Sequence, residues 1–155
     1  MNNFVHHNKD AGLAVASGAA PELQQNEFYG SASYGCYFFL KGAGKLEKNK
    51  ICSNQSANVC ITYSSDPIVI KVCLFFFSCG LSDCLRICCK NRIYSGETDG
   101  VMVMQEGKGQ IEENEIFGNY ESNVMVQFGA DPMIRSNKIY SGKKAVVVFL
   151  HKVFL

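Results

Sequence analysis

Net charge is nearly absent from this sequence, where 15 lysines and arginines stand against 14 aspartates and glutamates for a formal +1. That balance offers no basic surface for a nucleic-acid partner and no pull toward an anionic membrane. A long apolar run is missing too. The longest, about Val72 to Leu81, is half of what a membrane-spanning helix needs. Met1 is followed by a polar stretch instead of an apolar segment, so no secretory leader is expected. Paired cysteine knuckles are lacking as well. Of 8 cysteines, five crowd one segment (Cys73, Cys79, Cys84, Cys88, Cys89), while Cys36, Cys52 and Cys60 sit alone at strand-like positions. Neither group resembles a disulfide framework, which points to a reducing compartment. No C-x-x-C pair or neighbouring histidine completes a tetrahedral set, so no metal and no other cofactor is expected.

What the sequence does contain is a repeat. Asparagines two residues before an apolar position fall at Asn3, Asn26, Asn49, Asn91, Asn114 and Asn137, with spacings of 23, 23, 42, 23 and 23. Leu23, Leu46, Val69, Ile111 and Ile134 precede them by three, and Val5, Phe28, Ile51, Ile93, Ile116 and Ile139 follow by two. Two further columns keep the same register, Leu13/Cys36/Val59/Val101/Val124/Val147 and Val15/Phe38/Ile61/Val103/Val126/Phe149. The alternation within each copy is period two, the signature of short strands, and 23 residues are too few for a strand–helix–strand crossover. Leucine-rich repeats share the length class, but their closely spaced leucines and helical pattern are absent. The expected fold is therefore all-β: a right-handed parallel β-helix of about six 23-residue coils. Stacking at about 4.8 Å would build a continuous apolar core and a ladder of asparagine amides.

Another column holds only glycine and asparagine: Gly12, Gly35, Asn58, Gly100 and Asn123. These residues accept left-handed backbone most cheaply, so a turn entering the Val-x-Val strand is expected there. Coils also alternate in kind. Pro-x-apolar-x-x-Asn (Pro21 to Asn26, Pro132 to Asn137) trades with Gly-x-Gly-x-apolar-Glu-x-Asn (Gly42 to Asn49, Gly107 to Asn114), which makes the unit a pair of coils.

The single 42-residue spacing marks an insertion. Deleting Val72 to Lys90 joins Lys71 to Asn91 and restores every column. The organisation read from the sequence is thus coils over 1–71, an insertion of foreign composition over 72–90, coils over 91–152 and an aberrant end at 153–155. The insertion is rich in Cys and Phe, lacks the period-two pattern and opens on Val-Cys, which a splice-donor sequence can encode; translation of a retained intron is expected. The first coil begins at Asn3 and the last departs from the pattern at Val153, so a fragment of a longer protein is expected.

The motifs GKGQIEENEIFGN (Gly107 to Asn119) and DPMIRSNKIYSGK (Asp131 to Lys143) carry a family resemblance, with GAGKLEKNKI (Gly42 to Ile51) and DPIVIK…NRIYSG (Asp66 to Gly96). They resemble the β-helix repeats of the F-box-only substrate receptors of ubiquitin ligases, of the carbohydrate-binding and sugar-hydrolysis type. The resemblance implies a non-enzymatic module, cytoplasmic or nuclear, whose β-helix surface holds a protein substrate. The family's adaptor binds through an F-box, and no F-box-like helical segment occurs in these residues. The alternative is a carbohydrate-binding or carbohydrate-active β-helix of the polysaccharide lyase or epimerase kind. Such sites need clustered carboxylates with a basic residue on neighbouring coils. The best column for that, Ala20/Ala43/Asp66/Lys108/Asp131, places its aspartates two coils apart with Lys108 between, which reads as a surface charge ladder. His6, His7 and His151 have no triad-like company, so no catalytic residue is expected. A protein lacking residues 72–90 is expected to melt at a higher temperature and to be more soluble, measured by thermal denaturation of the two proteins side by side.

Overall fold

The computed structural model describes residues 2–70 and 91–150. The 72–90 insertion and the 153–155 end lie outside the described residues. All regular elements among the described residues are strands, so none of them is a helix long and apolar enough to cross a membrane.

Among the described residues, each of the first five coils contributes one strand to each of three parallel sheets, and the sixth contributes to sheets 1 and 2. Sheet 1 stacks β1 (Phe4–His6), β4 (Glu27–Tyr29), β7 (Lys50–Cys52), β10 (Arg92–Tyr94), β13 (Glu115–Phe117) and β16 (Lys138–Tyr140). Sheet 2 stacks β2 (Leu13–Val15), β5 (Cys36–Phe38), β8 (Val59–Ile61), β11 (Val101–Val103), β14 (Ser122–Gln127) and β17 (Ala145–Leu150). Sheet 3 stacks β3 (Glu22–Gln24), β6 (Lys45–Glu47), β9 (Ile68–Ile70), β12 (Gln110–Glu112) and β15 (Met133–Arg135). The described residues form a right-handed parallel β-helix of six coils. Register across the 42-residue spacing is intact: Ile51 faces Ile93, Ile61 faces Val103 and Val69 faces Ile111.

The core follows from side-chain alternation. In a three-residue strand, either the middle residue or the two outer ones point inward. Sheets 1 and 3 send in their middle residues, and sheet 2 sends in its outer pair. Leu46, Ile51, Ile61, Val69, Ile93, Ile111 and Ile116 are consequently fully buried, while Leu23 and Ile134, toward the ends of their column, are half-buried.

Corners are where the chain departs from extended backbone. Among the described residues, seventeen other than glycine have positive φ, and they fall in four columns at three corners rather than at random. Gln25, Lys48, Glu113 and Ser136 precede a ladder asparagine; Ser53, Ser95 and Ser141 follow a strand of sheet 1; Leu40, Tyr63, Gln105 and Phe128 follow a strand of sheet 2. A left-handed residue turns an extended chain sharply within one peptide, at a cost of about 1–2 kcal/mol outside glycine. The stacked hydrogen bonds on both sides of each corner hold it there.

The Pro/Gly alternation also has a steric cause. Pro21, Gly44, Pro67, Gly109 and Pro132 form one column, and the hydrogen bonds between coils run beside it, from Lys45 N–H to Pro21 O and from Ile68 N–H to Gly44 O. Gly44 (φ 111°) and Gly109 (φ 118°) press against the prolines below them, Pro21 and Pro67, so that a Cβ on Gly109 would lie 2.9 Å from the Pro67 carbonyl oxygen. Ile111→Ala, at the centre of the sheet 3 column, is expected to cost about 2–5 kcal/mol, as large-to-small changes in packed cores do. Urea denaturation of the variant against the parent measures it.

Candidate functional site

The asparagine ladder lies inside the corner between sheets 3 and 1. The side-chain oxygen of Asn26 accepts from the backbone N–H and the amide of Asn3 at 3.1 and 2.9 Å. Asn49 accepts in the same way from Asn26, Asn91 from Asn49, and Asn137 from Asn114. Asn114 accepts from the Asn91 amide at 2.8 Å. The free amide protons reach backbone carbonyls, as from Asn114 to Val69 O and from Asn137 to Ile111 O. Asn26, Asn49, Asn91 and Asn114 are buried, Asn137 is half-buried and Asn3 is exposed.

The Gly/Asn column lies, at Gly12, Gly35, Asn58 and Gly100, on the expected bend entering the sheet 2 strands, but the left-handed backbone expected there is not found. Gly12, Gly35, Asn58, Gly100 and Asn123 precede or begin sheet 2 strands, but none has a positive φ. What selects them is space. A Cβ on Gly35 would lie 2.6 Å from the Asn54 amide, and one on Gly100 would lie 2.5 Å from the Asn119 amide. Asn54 and Asn119, which the repeat analysis did not single out, form a second buried network with Asn58 and Asn123. The Asn54 amide donates to Asn58 (2.8 Å), Asn58 to Asn119 across the intervening coil (3.0 Å), Asn119 to Asn123 (2.8 Å), and Asn123 to Tyr140 O (2.8 Å). The intervening coil carries Gly96 and Gly100, so the amides of the coils on either side can meet over it. The signal was available: Asn54 and Asn119 share a column with Gly96 between them.

Outside this corner, sheet 1 presents two outward columns. One is charged: Lys50 bonds Glu27 at 3.0 Å, while Glu115 bonds Arg92 at 3.3 Å and Lys138 at 3.5 Å. The other is aromatic. Tyr94, Phe117 and Tyr140 stack with centroids 5.0 and 5.1 Å apart and planes within 7° and 4°. Arg92 lies over the Tyr94 and Phe117 rings and Lys138 over that of Tyr140. Burial works to raise the Glu115 carboxyl, but the Tyr140 hydroxyl, Arg92 and Lys138 outweigh it and hold that carboxyl below its ordinary value. The strip adjoins an open cavity of about 430 Å³ lined by Gly96, Glu97, Tyr120 and Lys143.

Other candidates assemble less. Asp66, Lys108 and Asp131 are exposed, and neither aspartate is within ion-pairing distance of Lys108, so the expected charge ladder does not form there. His6 and His7 contact each other, and His6 stacks on Tyr29. His151 lies outside the described residues. Among the described residues, no group of three His, Cys, Asp or Glu could hold a metal ion. Burial pushes the Cys36 thiol well up and that of Cys60 up to about 12, which leaves both unreactive. Replacing Asn119 by Ala leaves the Gly96 N–H unpaired, at about 1–3 kcal/mol, and removes one partner each from the Asn58 amide, which keeps Tyr94 O, and the Asn123 oxygen, which keeps the residue 119 N–H. A drop in melting temperature larger than that of Asn3→Ala, at the exposed end of the first ladder, is the expected result.

Among known proteins, residues 1–77 match the model of a family described as a right handed beta helix region. No curated protein and no solved structure matches the chain. Coils beyond the matched segment stack on the earlier ones in the same register, so the described residues as a whole form one right-handed parallel β-helix.

Proposed function

We propose that this β-helix is a non-enzymatic recognition module whose outer sheet 1 face, around Arg92, Tyr94, Glu115, Phe117, Lys138 and Tyr140, binds a protein partner. The aromatic stack framed by arginine and lysine supports this reading, because tyrosine, phenylalanine and arginine are the side chains enriched where proteins meet. Stacked coils hold these side chains rigidly, which lowers the entropy lost on binding. Glu115, the carboxylate at the centre of the face, is kept ionised by three partners and is poorly suited to donate a proton. The repeat resemblance extends the proposal: the partner is a substrate for ubiquitination in the cytoplasm or nucleus, with the ligase adaptor reached through an F-box.

The test places a photoreactive residue at position 92 or 138, with position 110 on the outer edge of sheet 3 as control, and irradiates cells expressing the protein. Discrete crosslinked proteins from 92 and 138 but not from 110, carrying ubiquitin chains, are expected. Crosslinks without ubiquitin would remove the ligase role. Release of unsaturated or epimerised sugars from polygalacturonate or alginate by the purified protein would replace the proposal with the carbohydrate-active alternative.

A further inference from the structure

The corner after sheet 2 carries side chains that the coil does not require. In the first coil it holds Ser17 and Gly18, both with positive φ, so small residues satisfy the turn. Two later coils instead place aromatics at the Ser17 position. Tyr63 (φ 50°, 48% exposed) and Phe128 (φ 54°, 53% exposed) combine a left-handed backbone with a large apolar side chain in solvent. Each choice is unfavourable by itself, and bulky residues at positive φ are uncommon. Strain and exposed apolar surface together point to a use beyond folding.

Between these rings the intervening coil supplies Gln105 and Glu106. Tyr63, Ser64, Gln105, Glu106 and Phe128 line an open cavity of about 520 Å³. The Ser64 hydroxyl donates to the Glu106 carboxylate at 3.5 Å, and Glu106 makes no ion pair with any described lysine or arginine. Asp66 and Asp131 flank Lys108 in the neighbouring column, which leaves the corner across these three coils with a net charge of −2. Tyr63 and Phe128 are two coils apart, roughly 9–10 Å at ordinary strand spacing. A flat group stacked on both rings would need them nearer about 7 Å. A compact cation midway would lie about 5 Å from each ring, inside the roughly 6 Å over which a ring quadrupole attracts positive charge.

We propose that this slot, walled by Tyr63 and Phe128 with Glu106 at its floor, receives the cationic head of a lysine side chain presented by a protein partner. The proposal rests on the recognition reading above and names a second point of contact on a different face. The carboxylate neutralises the ammonium charge, the two rings contact its apolar envelope, and the Gln105 amide is available to an N–H. Methylation of the ammonium would strengthen binding, since a quaternary head sheds less water on entering an aromatic slot.

The probes are blocked peptides containing lysine or trimethyllysine, and a neutral counterpart with carbon in place of the charged nitrogen. Ring-proton NMR of the full chain reports on Tyr63 and Phe128. Saturable shifts at both rings with the two cationic peptides, and affinity at least about fivefold weaker for the neutral one, are expected. Tyr63→Ser with Phe128→Ser, which reproduce the corner of the first coil, should lower affinity about tenfold while the circular dichroism spectrum stays unchanged. E106Q should lower it severalfold. Equal binding of the neutral peptide, or shifts that bypass both rings, would overturn the proposal. The parent protein carrying the photoreactive residue at position 92 separates the two readings: crosslinks without peptide shifts at the two rings would discard the slot and keep the sheet 1 face, whereas absence of both crosslinks and peptide shifts would discard both.

Discussion

An asparagine amide can donate and accept at once, and a stack of identical coils supplies it with partners above and below. In this β-helix the side-chain oxygen of one Asn takes the backbone N–H of the coil before it, a group that the left-handed residue preceding the Asn would otherwise turn inward without a partner. The corner between sheets 3 and 1 depends on that bond. A buried unpaired N–H would cost about 1–3 kcal/mol per coil, and the apolar columns on either side could not meet at a common register without the bend. The core, the three sheets and their outward faces all inherit their alignment from this line of amides, through Asn91 Oδ1 accepting the Asn49 N–H at 2.8 Å across the 42-residue spacing.

A second constraint acts on pairs of coils. Where Asn54/Asn58 and Asn119/Asn123 turn their amides along the axis, the coil between them has glycine at both matching positions, because a Cβ at Gly96 would crowd the Asn58 amide at 2.9 Å. At the opposite corner, prolines alternate with glycines that press against them. Both devices have the same arithmetic: a crowded coil needs an empty neighbour. The two outward features follow that rhythm. The Tyr63 and Phe128 corner residues stand two coils apart with Gln105 between, and the cavity beside Tyr120 opens over Gly96 and Gly118.

Much of this architecture is legible in the sequence. The columns Leu46/Val69/Ile111 and Phe38/Ile61/Val103 announced the core because stacked coils bury identical positions, and spacing alone carries that information. The glycine column showed its membership but not its cause: Gly100 is chosen for the Asn119 amide beside it, and proximity between residues in adjacent coils is not written in local pattern. The left-handed corners were less legible still. Gln25, Lys48, Tyr63 and Phe128 are not residues that local propensity places at positive φ; the coil geometry overrides it. The aromatic column on the outer face of sheet 1 is hidden in the sequence for a related reason. Tyr94, Phe117 and Tyr140 repeat at the right interval, but whether an aromatic column lies in the core or outside it depends on which strand residue points inward.

The alternation of crowded and empty coils also governs how such a chain can change length over time. Loss or gain of a single 23-residue coil would set asparagine pair against asparagine pair, or proline against proline, and leave amides with no space between them. Loss or gain of two coils would restore every contact. Gene duplication and slippage in this lineage should therefore leave viable products only in steps of 46 residues, and homologues of different length should differ by even numbers of coils.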